Sequence, residues 1–215
     1  MAKNSKDIYY VLRSIHSNNN FELDTNVKGA YKMNEVSLAN IGYYVKPLKR
    51  DQTSSSQYNN DWTGTWTGKN GINSKDDFLK SPIVQGIAAR EFSEFVWEKY
   101  LPNYHKYLGL EFGGVPITKA GMIIAAHCIG PERIKSFFDT NAEINDRNPY
   151  NDLCRTYLRN FKDYKIDYSI DHLLAQLSPD TLYSDDKTAD RALSDSDSDS
   201  DASTIIGNST DIAEF

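Results

Sequence analysis

The sequence predicts a mainly helical domain followed by an acidic tail, and three observations predict it. Apolar residues recur at i, i+3 and i+4 in most segments between residues 7 and 161, and several of these segments open on Ser, Thr or Pro or close on Gly or Asn. One stretch, Lys46 to Asn73, breaks the pattern with a polar excursion rich in Ser, Asn, Thr and Gly. Beyond about Ala175 the composition turns to Asp, Ser and Thr, with the alternation SDSDSDSD at 194–201. A chain of 215 residues can hold one domain with a real core plus an appendage, and the division expected is 1–175 for the domain and 176–215 for the tail.

The elements follow in order. In DIYYVLRSIHS, Asp7 to Ser17, the residues Ile8, Val11, Leu12 and Ile15 share a helical face, and the asparagines that follow end the helix. Residues 29–44 read as a turn and then a short helix with Met33, Val36 and Leu38 inward, closed by Gly42. The excursion carries Trp62 and Trp66 in WTGTWTGKNG, either as sugar-stacking or partner-facing rings or as a hairpin folded onto its own core. Ser74 caps a helical turn whose third residue is Asp77, and Ser81-Pro82 starts a longer helix to about Tyr100. On that helix Val84, Ile87, Ala88, Phe92, Phe95 and Val96 form the core face, and Glu91 and Glu94 the solvated side.

Thr118 caps KAGMIIAAHCI, apolar on nearly every side and so expected at the domain centre, with His127 read as a satisfied core histidine. Gly130-Pro131 stops it and starts another helix through Phe138. A last helix, about Tyr150 to Phe161, carries Leu153, Cys154, Tyr157 and Leu158. The tail is too densely charged to bury enough surface to offset its ordering entropy, so alone it is expected to be disordered, or else to dock on a partner surface through Ile205, Ile206, Ile212 and Phe215.

Charge and composition narrow the function. The net charge is −6, and residues 185–215 alone sum to −7, so the rest of the chain is near neutral at +1. That balance argues against nucleic-acid binding, which calls for a basic stripe. Cys128 and Cys154 fall in helical segments without a CxxC or Cys/His spacing, and His105 and His172 lack partners at ligand spacing. No metal and no cofactor are expected. The polar amino terminus has no apolar secretion core, and the longest apolar stretch, Gly121 to Gly130, is about half of what a membrane span needs, so synthesis in the cytoplasm and no membrane span are expected.

Several segments together resemble a phage and prophage family of lysozyme-like, transglycosylase-like proteins. The pieces are His16-Ser17 at the end of the first helix, Gly29-Ala30-Tyr31-Lys32, Gly42-Tyr43, and Trp66-Thr67-Gly68-Lys69-Asn70-Gly71-Ile72-Asn73-Ser74 leading to Phe78-Leu79. Then come Gln85-Gly86-Ile87-Ala88, Gly114-Val115-Pro116-Ile117-Thr118-Lys119-Ala120-Gly121 through Ala125-Ala126-His127, and Asp146-Arg147-Asn148. Their order and spacing hold over most of residues 8–164, and the GVPITKAGMIIAAH block is the specific part.

The resemblance implies a lysozyme-like helical domain with an irregular loop or small hairpin, and cleavage of the β-1,4 link between N-acetylmuramic acid and N-acetylglucosamine. That chemistry needs a carboxylic acid of raised pKa at the cleft. The family's acid position is occupied here by His16, which is suited to capping the negative end of the first helix. The family's Gln after Tyr31 is Lys32, and its Gly-Thr after the later Asp is replaced by Pro149-Tyr150. Glu22, in the following loop, is the alternative acid, with Asp24 close by. The expected substrate-binding residues are Tyr31, Lys32, Trp62 and Trp66.

Two functions are thus expected. The first is a structural protein of a phage virion, in its tail or baseplate, that keeps the scaffold with a degraded site and docks on other virion proteins through the acidic tail and the 46–73 loop. The alternative is an active muramidase or lytic transglycosylase that takes peptidoglycan glycan strands. An effector injected with the genome fits the size but has no residue in its favour.

Overall fold

The computed structural model describes residues 7–47, 60–144, 149–166, 169, 171 and 173. The acidic tail, His172 and Asp146-Arg147-Asn148 lie outside the described residues. The protein is mainly helical, with two small two-stranded antiparallel sheets among the described residues. Its residues group into two compact units, one taking in the described residues of 1–8 and 93–167 and the other those of 9–92 and 168–215.

In the second of these units α1 spans Ile8–Ser17, all but its first residue, and buries Tyr9, Val11 and Leu12. It ends because Asn18 and Asn19 turn left-handed, at φ 52° and 59°, a conformation that asparagine tolerates. Their amides then close on the Ser14 and Arg13 carbonyls at 2.9 and 3.2 Å. The buried Arg13 guanidinium lies over the Tyr10 and Phe21 rings, 4.9 and 5.5 Å from their centroids. Helix α2, Glu35–Asn40, is capped by Asn34, whose Oδ1 accepts the Ser37 N–H at 2.7 Å. Its inward face departs from the sequence expectation. Met33 and Leu38 are buried, but Val36 is only half-buried, and the helix turns Glu35 and Ser37 inward instead.

Strands β1, Tyr44–Val45, and β2, Thr65–Trp66, pair antiparallel, Tyr44 opposite Trp66 and Val45 opposite Thr65. Helix α3, Lys75–Leu79, starts at Ser74, whose Oγ accepts the Asp77 N–H at 3.1 Å, while Asp77 Oδ2 reaches back to the Asn73 N–H at 3.0 Å. Helix α4 is Pro82–Phe95. Its buried face is Gln85, Gly86, Ala88, Ala89, Arg90 and Phe92, whereas Val84 and Ile87 are half-buried. The rotation places a polar residue, Gln85, where the apolar pattern has none.

In the other unit the chain continues as a π-helical turn at Val96–Tyr100 and a 3-10 turn at Pro102–Tyr107. Strands β3, Glu111–Phe112, and β4, Val115–Pro116, form a hairpin around Gly113-Gly114. The core is α5, Lys119–Ile129, packed against α6, Pro131–Asp139, and α7, Asn151–Asn160. Thr118 Oγ1 accepts the Gly121 N–H at 3.1 Å, as its capping role requires. A Cβ on Gly121 would come within 2.9 Å of the Leu158 carbonyl, so glycine sets the approach of α5 to α7. Every α5 residue from Ala120 to Ile129 is buried except His127, which is half-buried and so not the core histidine expected. Beside this core Tyr107 stacks on Phe138 and meets Phe112 at a tilt, and Phe137 packs edge-on against both phenylalanines. Among the described residues no helix is long and apolar enough to cross a membrane.

Candidate functional site

Phe21, Ala30, Phe78 and Leu79 come together around Gln85. This side chain is fully buried, and both its oxygen and its nitrogen are hydrogen-bonded. Its Oε1 accepts the Ala30 N–H at 2.9 Å, and its Nε2 donates to the carbonyls of Phe21, Phe78 and Leu79 at 2.9, 2.9 and 3.1 Å. One side chain of α4 thereby pins the loop after α1, the turn before α2 and the end of α3. Gly29 sits at φ 71°, and a Cβ there would overlap the Gln85 amide, so this glycine is needed both for its backbone angle and for that close approach.

The expected acid positions lie along the pinned loop. His16 is in the last turn of α1, half-buried, where an imidazolium would face the negative end of the helix. Glu22 is exposed, and its backbone N–H donates to Asn20 Oδ1 at 3.0 Å. Asp24 is also exposed and lies between two ammonium groups, Lys28 at 2.8 Å and Lys75 at 2.6 Å. The hydrogen bond from Lys28, then that from Lys75, hold its carboxyl below the ordinary 3.8, against a weaker upward push from burial.

Because that pKa is depressed, the stabilisation from this triad is present above the unfolded value and is lost as pH falls through the folded one. Titration of Asp24 followed by NMR is expected to give a midpoint below 3.8 that rises toward it in high salt. A midpoint at or above 3.8 at low salt would contradict the two-lysine geometry. Asp24→Asn should cost about 1 kcal/mol or more, since the Lys75 pair is exposed but Lys28 is buried and would lose its ion-pair partner.

Tyr31 is fully buried, and Lys32 is half-buried at φ 49°. Trp62 and Trp66 are half-buried and stack on one another, centroids 6.2 Å apart and planes 9° from parallel. Tyr44 meets both rings edge-on at 5.5 Å, and Trp66 also packs on Phe78 at 5.5 Å. The rings are thus folded onto the domain's own aromatics, in a hairpin of the kind the sequence left open. Trp62 holds φ 53°, uncommon for a bulky residue, with its indole N–H donated to the Asn26 carbonyl at 3.0 Å and the Lys28 ammonium 4.7 Å from its ring centroid.

Glu35 carries no signal in the linear pattern. At the first position of α2 a carboxylate usually sits in water beside the positive helix end, but this one is fully buried. Lys46 Nζ stands 2.9 Å from Oε2, an ion-pair distance. The Tyr44 hydroxyl accepts the Gly64 N–H at 2.5 Å and is pushed up to about 12, first by burial and further by the Glu35 charge. Glu91, expected on the solvated side of α4, is half-buried and ion-paired to Lys69 at 2.8 Å. In the other unit His105 stacks on Trp97 at 3.7 Å. Among the described residues no group of His, Cys, Asp and Glu could hold a metal ion.

Compared with known protein families, with curated proteins and with solved structures, the chain gives no match.

Proposed function

We propose that this chain is a structural protein of a phage tail or baseplate, built on a lysozyme-like scaffold and no longer a glycosidase. The observation that carries the reading is the state of the groups at the end of α1. The residue at the expected acid position is His16, and of the carboxylates that follow, Glu22 is exposed and Asp24 is fixed between two lysines. A glycosidic acid must be desolvated so that it keeps its proton near neutral pH. An exposed group and a lysine-paired group are poorly placed for that. The meeting of Gly29-Ala30 with Gln85 supports the scaffold part of the reading, because two segments of the resemblance 55 residues apart in sequence are joined by a hydrogen bond. Other virion proteins are the partners this reading calls for, through the acidic tail and the 46–73 loop.

Restoring the acid tests it. His16→Glu with Lys32→Gln is expected to release muropeptides from purified peptidoglycan where the wild-type chain releases none, and His16→Ala should leave both fold and assembly into the virion intact. Loss of assembly in His16→Ala would count against a helix-capping role for this residue.

A second reading, cleavage of the glycan, draws on Glu35, a desolvated carboxylate in the same unit as His16, Tyr31 and the tryptophan pair. The Lys46 ammonium, 2.9 Å from its Oε2, works against it, because this carboxylate is already engaged in an ion pair. Wild-type muropeptide release that Glu35→Gln abolishes would establish this reading over the first.

A further inference from the structure

We infer that the seat of the Trp62 indole is a binding site for a planar heterocycle with one N–H donor, and that the chain keeps this site closed with its own ring. The Asn26 carbonyl accepts the indole N–H at 3.0 Å, and the Lys28 ammonium lies 4.7 Å from the ring centroid. Trp66 stacks on the ring with planes 9° from parallel, and Tyr44 meets it edge-on at 5.5 Å. Aromatic walls with one cation and one acceptor are what a ring-binding pocket needs, the acceptor fixing the orientation of the ring. Lys28 is only 4 % exposed, so its charge meets the ring in a desolvated setting, where cation–π attraction is strongest.

Each wall is held by groups other than Trp62. The Lys28 ammonium pairs with Asp24 at 2.8 Å and donates to the Thr25 carbonyl. The Tyr44 hydroxyl accepts the Gly64 N–H, Trp66 packs on Phe78 at 5.5 Å, and Tyr44 and Trp66 are paired across β1 and β2. The seat therefore stays formed when its occupant leaves. The occupant, by contrast, is held at a backbone cost, because φ 53° is unfavourable for a bulky residue. A ring arriving from elsewhere makes the same contacts without that cost. The turn around residue 62 also has ties of its own, since Asp61 Oδ1 accepts the Thr63 N–H at 3.2 Å and the Thr63 hydroxyl at 2.8 Å. The inference is independent of whether the chain cleaves glycan.

Trp62→Gly on the full chain tests it, because glycine takes a positive φ freely and empties the seat. Free indole at about 5 mM is expected to raise the melting temperature of this variant by about 3 °C and that of the wild type, whose seat is filled, by less than about 1 °C. 1-Methylindole lacks the N–H and should need about fivefold more ligand for the same shift. N-acetyltryptophanamide separates two sources of the ring. A shift matching that of indole assigns the site to a tryptophan carried on a partner chain, and a shift with indole alone assigns it to a free heterocycle. Should Trp62→Gly be unfolded by itself, the readout becomes its helical circular dichroism, which indole is expected to restore. Neither a shift nor a restoration by indole, an equal shift in the wild type, or equal potency of 1-methylindole would each overturn the inference.

Discussion

Gln85→Leu is expected to destabilise the protein by about 3–5 kcal/mol, since leucine keeps the volume and withdraws every hydrogen bond the amide makes. The Ala30 N–H and the carbonyls of Phe21 and Leu79 would lose this partner, and the Phe78 carbonyl would keep only backbone donors such as the Ser81 N–H, in a site without water access to Gln85 itself. A buried group left unsatisfied costs its full desolvation, which is why the loss exceeds the net worth of ordinary exposed bonds. Urea unfolding measures it, and a change below about 1 kcal/mol would show that these loops are held by something other than Gln85. Gln85→Glu is a sharper variant. It replaces the donor of three bonds by an acceptor facing three carbonyls, and should be at least as damaging.

Gly29→Val should approach the same magnitude, about 3 kcal/mol or more, by a different route. A β-branched residue at φ 71° is strained whatever the space around it, and its Cβ would lie on the Gln85 amide. The two effects can be separated. Gly29→Ala is expected to cost less in a Gln85→Ala background than in the wild type, because the overlap disappears while the backbone strain stays. Additive losses would mean that the backbone angle alone demands the glycine.

Local signals made much of the fold legible. Ser74, Thr118, Pro82 and Pro131 stand at the helix starts where the sequence placed them, because a cap or a first-turn proline acts within one turn of chain. The apolar stretch from Ala120 to Ile129 was readable as the centre of its unit for a related reason, that a helix apolar on all sides has nowhere else to go. What escaped is polar and buried. Gln85, Glu35 and Arg13 look in sequence like surface residues, and the partner of Gln85 at Ala30 lies 55 residues away. Periodicity averages over such positions, which is why the inward face of α4 was placed on Val84 and Ile87 rather than on Gln85 and Ala89. The π-helical turn at Val96–Tyr100 was likewise read as plain helix, with Pro102 just beyond as the only punctuation.

The candidate site was legible in outline and not in its chemistry. The sequence identified His16, Glu22, Tyr31, Lys32, Trp62 and Trp66 from the resemblance, and all of them fall in one unit. Whether the tryptophans face outward depended on Tyr44 and Phe78, which a linear pattern does not pair with them. The state of Asp24 depended on Lys75, 51 residues away in sequence.

The central claim, a lysozyme-like scaffold without its acid, is tested most directly by muropeptide release from purified peptidoglycan over about pH 5 to 8, the range in which a raised carboxyl would act. The wild-type chain and Glu22→Gln would be compared, with peptidoglycan binding measured in parallel. The account predicts no release by either protein at any pH. Release by the wild type that Glu22→Gln abolishes would contradict it and make the chain an enzyme whose acid has moved along the loop.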